Sequence, residues 1–197
     1  MMFDKIFSII ILILISPVLA IVALLIIFND GFPVIFQQNR VGKDGKFFKI
    51  YKFRSMVKNA EEILKTDETL YKKYVKNGFK LHAEEDIRIL PFGNFMRKTS
   101  IDELPQFINV LKGEMSVVGP RPVVGKELDI LYGENADKYK SVKPGVTGLW
   151  QASGRSNLTG DQRVKLDLEG IERKSLKFDI YVIFKTIMEV LRRTGAH

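Results

Sequence analysis

Asp102 and Glu103 are adjacent carboxylates inside RKTSIDELPQFINVLKGEMSVVGPRP, residues 97–122. Neighbouring acids at the start of an apolar helical run have an ordinary use. Ser100-Ile101-Asp102-Glu103 fits the Ser-x-x-Glu capping box, and acids suit the positive end of a helix. Pro105 complicates that use. With Ser100 as the cap, Pro105 would be the fifth helical residue and would delete a ladder bond. With the helix starting at Asp102, Pro105 falls in the first turn and is tolerated. The Asp102 carboxylate is then under-used as a cap and freer for chemistry.

The surroundings favour chemistry on an anion. Arg97 and Lys98 lie just upstream, so cations cluster beside a helix N-terminus. Arg121 sits between Pro120 and Pro122, a backbone fixed on both sides and suited to forked recognition of phosphate. Pro144-Gly145-Val146-Thr147-Gly148-Leu149-Trp150-Gln151 leads on to Gly154-Arg155 and carries the only tryptophan. Its glycines would let backbone approach a ligand closely. It matches neither the P-loop nor the dinucleotide fingerprint. Thr147, Gln151 and Arg155 are its candidate substrate contacts. Carboxylates ringed by rigidly held cations suit transfer of a phosphate-bearing group. The chain lacks cysteine and has only His82 and His197, which excludes thiolate chemistry and makes a histidine metal site or triad improbable.

The elements that must position these residues begin with an anchor. From Ile6 to Phe28 there are 23 residues without a charge, enough for the roughly 20 that a membrane helix needs. The run is too long for a secretory leader and no cleavage site follows it. Ser16-Pro17 stands at its middle. Pro17 takes a helical partner from the carbonyl of Ile13, and a nearby serine hydroxyl can replace it. A kinked span and a re-entrant hairpin both satisfy this pattern.

Beyond the anchor, Val34–Phe36 and Lys46–Arg54 flank a Gly42-Lys43-Asp44-Gly45 turn and predict a β-hairpin. Phe48, Ile50, Lys52 and Arg54 share one face of the second strand. Its lysines read as a solvated edge, with one or two of the cations available to phosphate; nucleic acid is not an expected partner. Residues 57–78 predict one charged amphipathic helix inside a charged helical stretch, 57–90. Leu176 to Arg193 predicts a second, with Leu176, Ile180, Ile183, Phe184, Ile187, Met188, Val190 and Leu191 on one arc. That arc either docks on the core or lies in the bilayer interface. The expected fold is α+β, with an anchor at 1–30 and a catalytic domain at 31–197. Lys plus Arg exceeds Asp plus Glu by 31 − 23 = 8, which suits the anionic cytoplasmic leaflet.

These pieces, in this order, resemble the bacterial sugar transferase family, the monotopic phosphoglycosyl transferases. The resemblance rests on the apolar run with central Ser16-Pro17, FFKIYKFRSM (47–56), residues 97–122, KPGVTGLWQASGR (143–155) and LRRTGA (191–196). It implies a reaction in which a UDP-sugar and polyprenol phosphate give polyprenol diphosphate sugar and UMP. It implies Mg²⁺, with Asp102 and Glu103 as the candidate ligands and general base as the other role open to Glu103, and a phosphosugar carried covalently on Asp102. Lys52, Arg97 and Arg121 fall in the active site by the same match; Arg54, on the same strand face as Lys52, is a further candidate substrate contact. The anchor becomes a re-entrant helix-break-helix on the cytoplasmic face of the bacterial inner membrane. Capsule, exopolysaccharide or O-antigen assembly is the implied setting, with downstream glycosyltransferases as partners. The family's Asp-Pro-Arg is Asp86-Ile87-Arg88 here, so this loop is expected to be less rigid. A membrane-associated glycosyltransferase releasing UDP is the alternative.

Overall fold

The structure, a computed structural model, describes residues 2–77, 81, 86–154 and 158–192. Its first element, α1 (Met2–Asp30), is a single helix that passes through Pro17. The expected division into two helices at Ser16-Pro17 is therefore not seen. The physical reason lies one residue before the proline: Ser16 Oγ donates to the carbonyl of Ile13 at 2.8 Å, filling the bond that Pro17 removes. Most of the helix is bare, with Ile13 and Leu14 67% and 69% exposed. Its two ends are not. Ser116 Oγ and the Val117 amide donate to the Asp4 carboxylate, at 3.2 and 3.4 Å. At the other end Arg54 pairs with Asp30.

The predicted hairpin is present. β1 (Ile35–Val41) and β2 (Phe47–Phe53) pair antiparallel, with Gln38 opposite Ile50 and Phe36 opposite Lys52. The period-2 alternation turns Phe48 and Ile50 into a core with Phe107 and Val110 of α5 (Gln106–Lys112), Val117 and Val118 of β3 (Ser116–Val118), and Phe178 and Val182 of the last helix. Phe7, Ile11 and Leu12 of α1 pack on the same core, so the anchor is part of the domain. β3 pairs in parallel with β4 (Gly145–Thr147). That pairing needs glycine: a Cβ on Gly145 would lie 2.1 Å from the Gly119 nitrogen, and one on Gly148 2.2 Å from the Gly119 oxygen. The expectation that these glycines admit a ligand is corrected; they admit the neighbouring strand.

The helix expected at 57–78 is two helices, α2 (Ala60–Thr66) and α3 (Glu68–Lys76). Asp67 separates them because its carboxylate accepts the Leu70 amide at 2.9 Å and caps α3. The loop expected to be loose at Asp86-Ile87-Arg88 is tied by charge instead. Arg88 donates from two nitrogens to the Asp86 carboxylate, at 2.6 and 2.7 Å, and both residues are buried. Then come α4 (Gly93–Thr99), the short α6 (Gly125–Glu127) and α7 (Ala136–Lys140), α8 (Gly160–Glu172) and α9 (Leu176–Arg192).

α9 docks on the core, the first of the two outcomes posed by its sequence. Phe178 and Val182 enter the core, while Lys185 donates to Ser153 Oγ and Thr186 meets Thr147 at 2.7 Å. The arc of Leu176, Ile180, Phe184, Ile187 and Leu191 remains more than half exposed at every position.

Candidate active site

The acidic pair lies in the turn between α4 and α5. Ser100 ends α4 in a left-handed conformation, φ 58°, and turns the chain inward. Ile101–Glu103 form a single 3-10 turn, and α5 begins only at Gln106, after Pro105. Neither terminus carries a side-chain cap from this segment. Asp102 is thus neither the cap nor the first helical residue. It is buried, 8% exposed, at a junction where nothing local uses its carboxylate as a cap.

Three cations converge on it from three elements. Lys52 of β2 points Nζ at Glu103 Oε1, 2.6 Å away. Arg121 approaches the same oxygen at 3.4 Å. Arg97 comes from the last turn of α4 and pulls the Asp102 carboxyl downward by its charge. Burial dominates all the same. It pushes the Asp102 carboxyl up to about 6, with the Glu103 charge adding to it and Lys52, Arg97 and Arg121 opposing it. Burial likewise lowers Lys52, against the attraction of Glu103. Burial works against the Arg121 charge too, yet the carboxylates of Glu103, Glu127 and Asp102 outweigh it and hold the guanidinium above its ordinary value. The result is a carboxylate that is largely ionised at neutral pH, weakly hydrated and close to cations. Such a group is poised to act on a phosphorus.

Arg121 is held more firmly than its two prolines alone require. Its carbonyl accepts the Tyr139 hydroxyl at 3.0 Å, and the Tyr139 hydroxyl oxygen in turn accepts the Val123 amide at 3.3 Å. Arg40 of β1 donates to the Pro122 carbonyl at 3.2 Å and to Glu127 at 3.4 Å. The Arg121 guanidinium lies over the Trp150 ring, 5.5 Å from its centre. Behind the loop, Tyr132 donates to the buried Asp167 at 2.6 Å. Burial pushes Asp167 up to about 7, opposed by that bond and by Arg121. Sequence reasoning missed Arg40, Tyr139 and Asp167, because their partners lie in other segments and no local pattern marks them.

The remaining candidates divide. Arg54 is not in the cluster. It lies one residue past β2 and spends its nitrogens on the Pro33, Asp30 and Gly31 carbonyls and the Asp30 carboxylate. The alternation that put it beside Lys52 ends with the strand. The Thr147 carbonyl accepts the Gly119 amide, and its hydroxyl meets Thr186, so it braces the loop and α9. Gln151 follows Trp150 with its amide oxygen buried against Gly148. Arg155 lies outside the described residues, as does His82. No group of three or more His, Cys, Asp or Glu that could hold a metal occurs among the described residues. Asp102 and Glu103 together supply two carboxylates.

The bacterial sugar transferase family matches residues 1–193. An undecaprenyl-phosphate galactose phosphotransferase of Salmonella typhimurium is 48% identical over 198 residues, which is 99% of this chain and 41% of that protein. A UDP-glucose:undecaprenyl-phosphate glucose-1-phosphate transferase of Escherichia coli is 40% identical over 193 residues, 94% of this chain and 39% of that protein. The exopolysaccharide production protein ExoY of Sinorhizobium fredii is 39% identical over 199 residues, 99% of this chain and 86% of that protein. The chain spans about two fifths of the length of the first two relatives.

Proposed function

This chain belongs to the bacterial sugar transferase family, and on that premise we propose that it moves a sugar 1-phosphate from a UDP-sugar to polyprenol phosphate and releases UMP. The observation that carries this is the buried Asp102 carboxylate beside Glu103, with Lys52, Arg97 and Arg121 gathered around it. In the first step an Asp102 oxygen attacks the β-phosphorus; the bond from that phosphorus to the bridging oxygen breaks, and UMP departs with the electron pair. In the second, an oxygen of polyprenol phosphate attacks the same phosphorus and Asp102 leaves as a carboxylate. Splitting the transfer avoids direct attack of one bulky anion on another. Lys52, Arg97 and Arg121 stabilise the charge that builds on the phosphoryl oxygens.

Two adjacent carboxylates, the charge of Glu103 raising the Asp102 carboxyl, suit a divalent cation, which would draw its other ligands from phosphate and water. Asp102 and Glu103 would hold Mg²⁺ there, and the ion would polarise the phosphoryl oxygens.

The reaction is proposed to run at the cytoplasmic face of the inner membrane. A helix of 29 residues is about 43 Å long when straight. Contacts of both Asp4 and Asp30 with the same domain argue against a straight crossing. They support a helix kept with the domain at one face of the bilayer, with the exposed α9 arc beside it in the headgroup layer. The product would pass to downstream glycosyltransferases in exopolysaccharide, capsule or O-antigen assembly.

A panel of UDP-sugars tests the reading. With polyprenol phosphate and Mg²⁺, the purified protein is expected to release UMP, to trap labelled sugar phosphate, and to do neither as Asp102→Asn. Release of UDP instead, or full turnover by Asp102→Asn, overturns it.

A further inference from the structure

Arg163 stands in the first turn of α8, outside the catalytic turn, yet it reaches the same indole as Arg121. Its guanidinium carbon is 5.3 Å from the centre of the Trp150 ring, against 5.5 Å for Arg121. Trp150 itself is 3% exposed, so the ring is a mount for the two arginines and not a free stacking surface. Arg163 Nε donates to the Leu158 carbonyl at 3.0 Å. Among the described residues no acceptor meets its two terminal nitrogens, and the side chain is only half-buried. Arg40 is the third guanidinium nearby, and its two terminal nitrogens go to Pro122, Glu127 and Gln38.

Two guanidiniums on one buried ring repel each other across a medium that screens poorly. Burial first, and then the Arg121 charge, lower the Arg163 guanidinium below its ordinary value. Nothing about packing on an indole requires two cations. A phosphate does use them, since its oxygens accept forked donors from more than one side.

We propose that Arg163 is a phosphate-binding residue: with Arg121 it forms a clamp mounted on Trp150 that takes a second phosphate group, one linkage beyond the phosphorus facing Asp102. This rests on the function proposed above. Arg121 touches Glu103 directly, whereas Arg163 meets the site only across the indole. Its phosphate is therefore not the one being transferred. The α-phosphate of the departing nucleotide and the phosphate of the lipid acceptor share this chemistry, and the nucleotide's is the one bonded to the reacting group from the outset.

The full chain in detergent or nanodiscs is assayed as wild type, Arg163→Met and Arg163→Lys at fixed Mg²⁺. Methionine keeps an unbranched stem on the ring and removes the charge; lysine keeps the charge and removes the fork. Arg163→Met is expected to raise KM for the UDP-sugar about tenfold or more, with the melting temperature kept and the KM for polyprenol phosphate unchanged. Arg163→Lys is expected to raise it severalfold. Trp150 is the only tryptophan, so UMP titrated against its fluorescence gives binding without turnover, and the UMP affinity falls in parallel. A rise confined to polyprenol phosphate keeps the clamp and assigns it to the acceptor. Wild-type KM values and UMP affinity, in whichever variant keeps the wild-type melting temperature, overturn the clamp. Absence of UMP release by the wild type fails the proposed function instead, and the two failures are told apart by that control.

Discussion

Lys52 Nζ and Glu103 Oε1 lie 2.6 Å apart, joining β2 to the Asp102-Glu103 turn across 51 positions of sequence. The pair keeps a cation beside Asp102 that would otherwise seek water. Its loss has a defined sign. Lys52 lowers the Asp102 carboxyl against the stronger upward push of burial. Lys52→Met therefore moves the acidic limb of kcat/KM above its wild-type position near 6. The rate at the plateau falls by about 10²–10³, as when one electrostatic donor is removed from an active site. A pH–rate profile of the two proteins decides it; an unmoved limb would show that Asp102 is not the group titrating.

Arg54 gives the contrasting outcome. Its donors are all committed to the end of α1 and the start of β1. Arg54→Met strips partners from a carboxylate and three carbonyls and is expected to cost about 2–4 kcal/mol of stability. KM for both substrates stays at the wild-type value below the new melting temperature. A raised KM with unchanged melting would return Arg54 to the substrate site.

Ser16→Ala leaves the Ile13 carbonyl unfilled beside Pro17. In hydrocarbon such a group is costly, so a loss of about 1–2 kcal/mol is expected, read as easier extraction from membranes or a lower melting temperature. Pro17→Leu restores the ladder bond and makes Ser16→Ala neutral in its background. Cysteine labelling at residue 2 tests the topology. Reagent reaching it from the side opposite the catalytic domain would contradict entry and exit by one face.

Asp167 makes stability depend on pH. Its folded-state pKa of about 7 exceeds the ordinary aspartate value near 4, so the folded chain keeps a proton that the unfolded chain releases. The associated stability is complete below about pH 4 and is lost as pH rises through about 7, up to about 4 kcal/mol for a shift of about three units. Asp167→Asn keeps an acceptor for Tyr132 and has no proton to lose. Its melting temperature is expected to exceed that of the wild type by a margin that grows between pH 4 and 8. A margin constant with pH would sink this account.

Much of this was legible in the residues where the governing interactions are local. Period-2 alternation revealed the hairpin, apolar length the anchor, and 3.6-residue periodicity α9. The Asp102-Glu103 pair was visible, and Pro105 pointed to its freedom from capping; the separate 3-10 turn and the start of α5 at Gln106 were not. Asp67 divided a helix by offering its carboxylate to a backbone amide, a competition that periodicity does not weigh. The bracing of Arg121 was hidden for another reason. Arg40, Tyr139 and Trp150 reach it from other segments of the chain, and such meetings are made by the fold as a whole.

Fastening α1 at Asp4 and again at Asp30 makes the protein its own depth gauge. A crossing helix tilts to match the thickness of its bilayer; one clipped at both ends to a rigid body has no such freedom. In the proposed topology the depth of the Asp102 turn is then fixed by protein geometry, and lipid composition would alter how firmly the molecule floats but not how deep it sits.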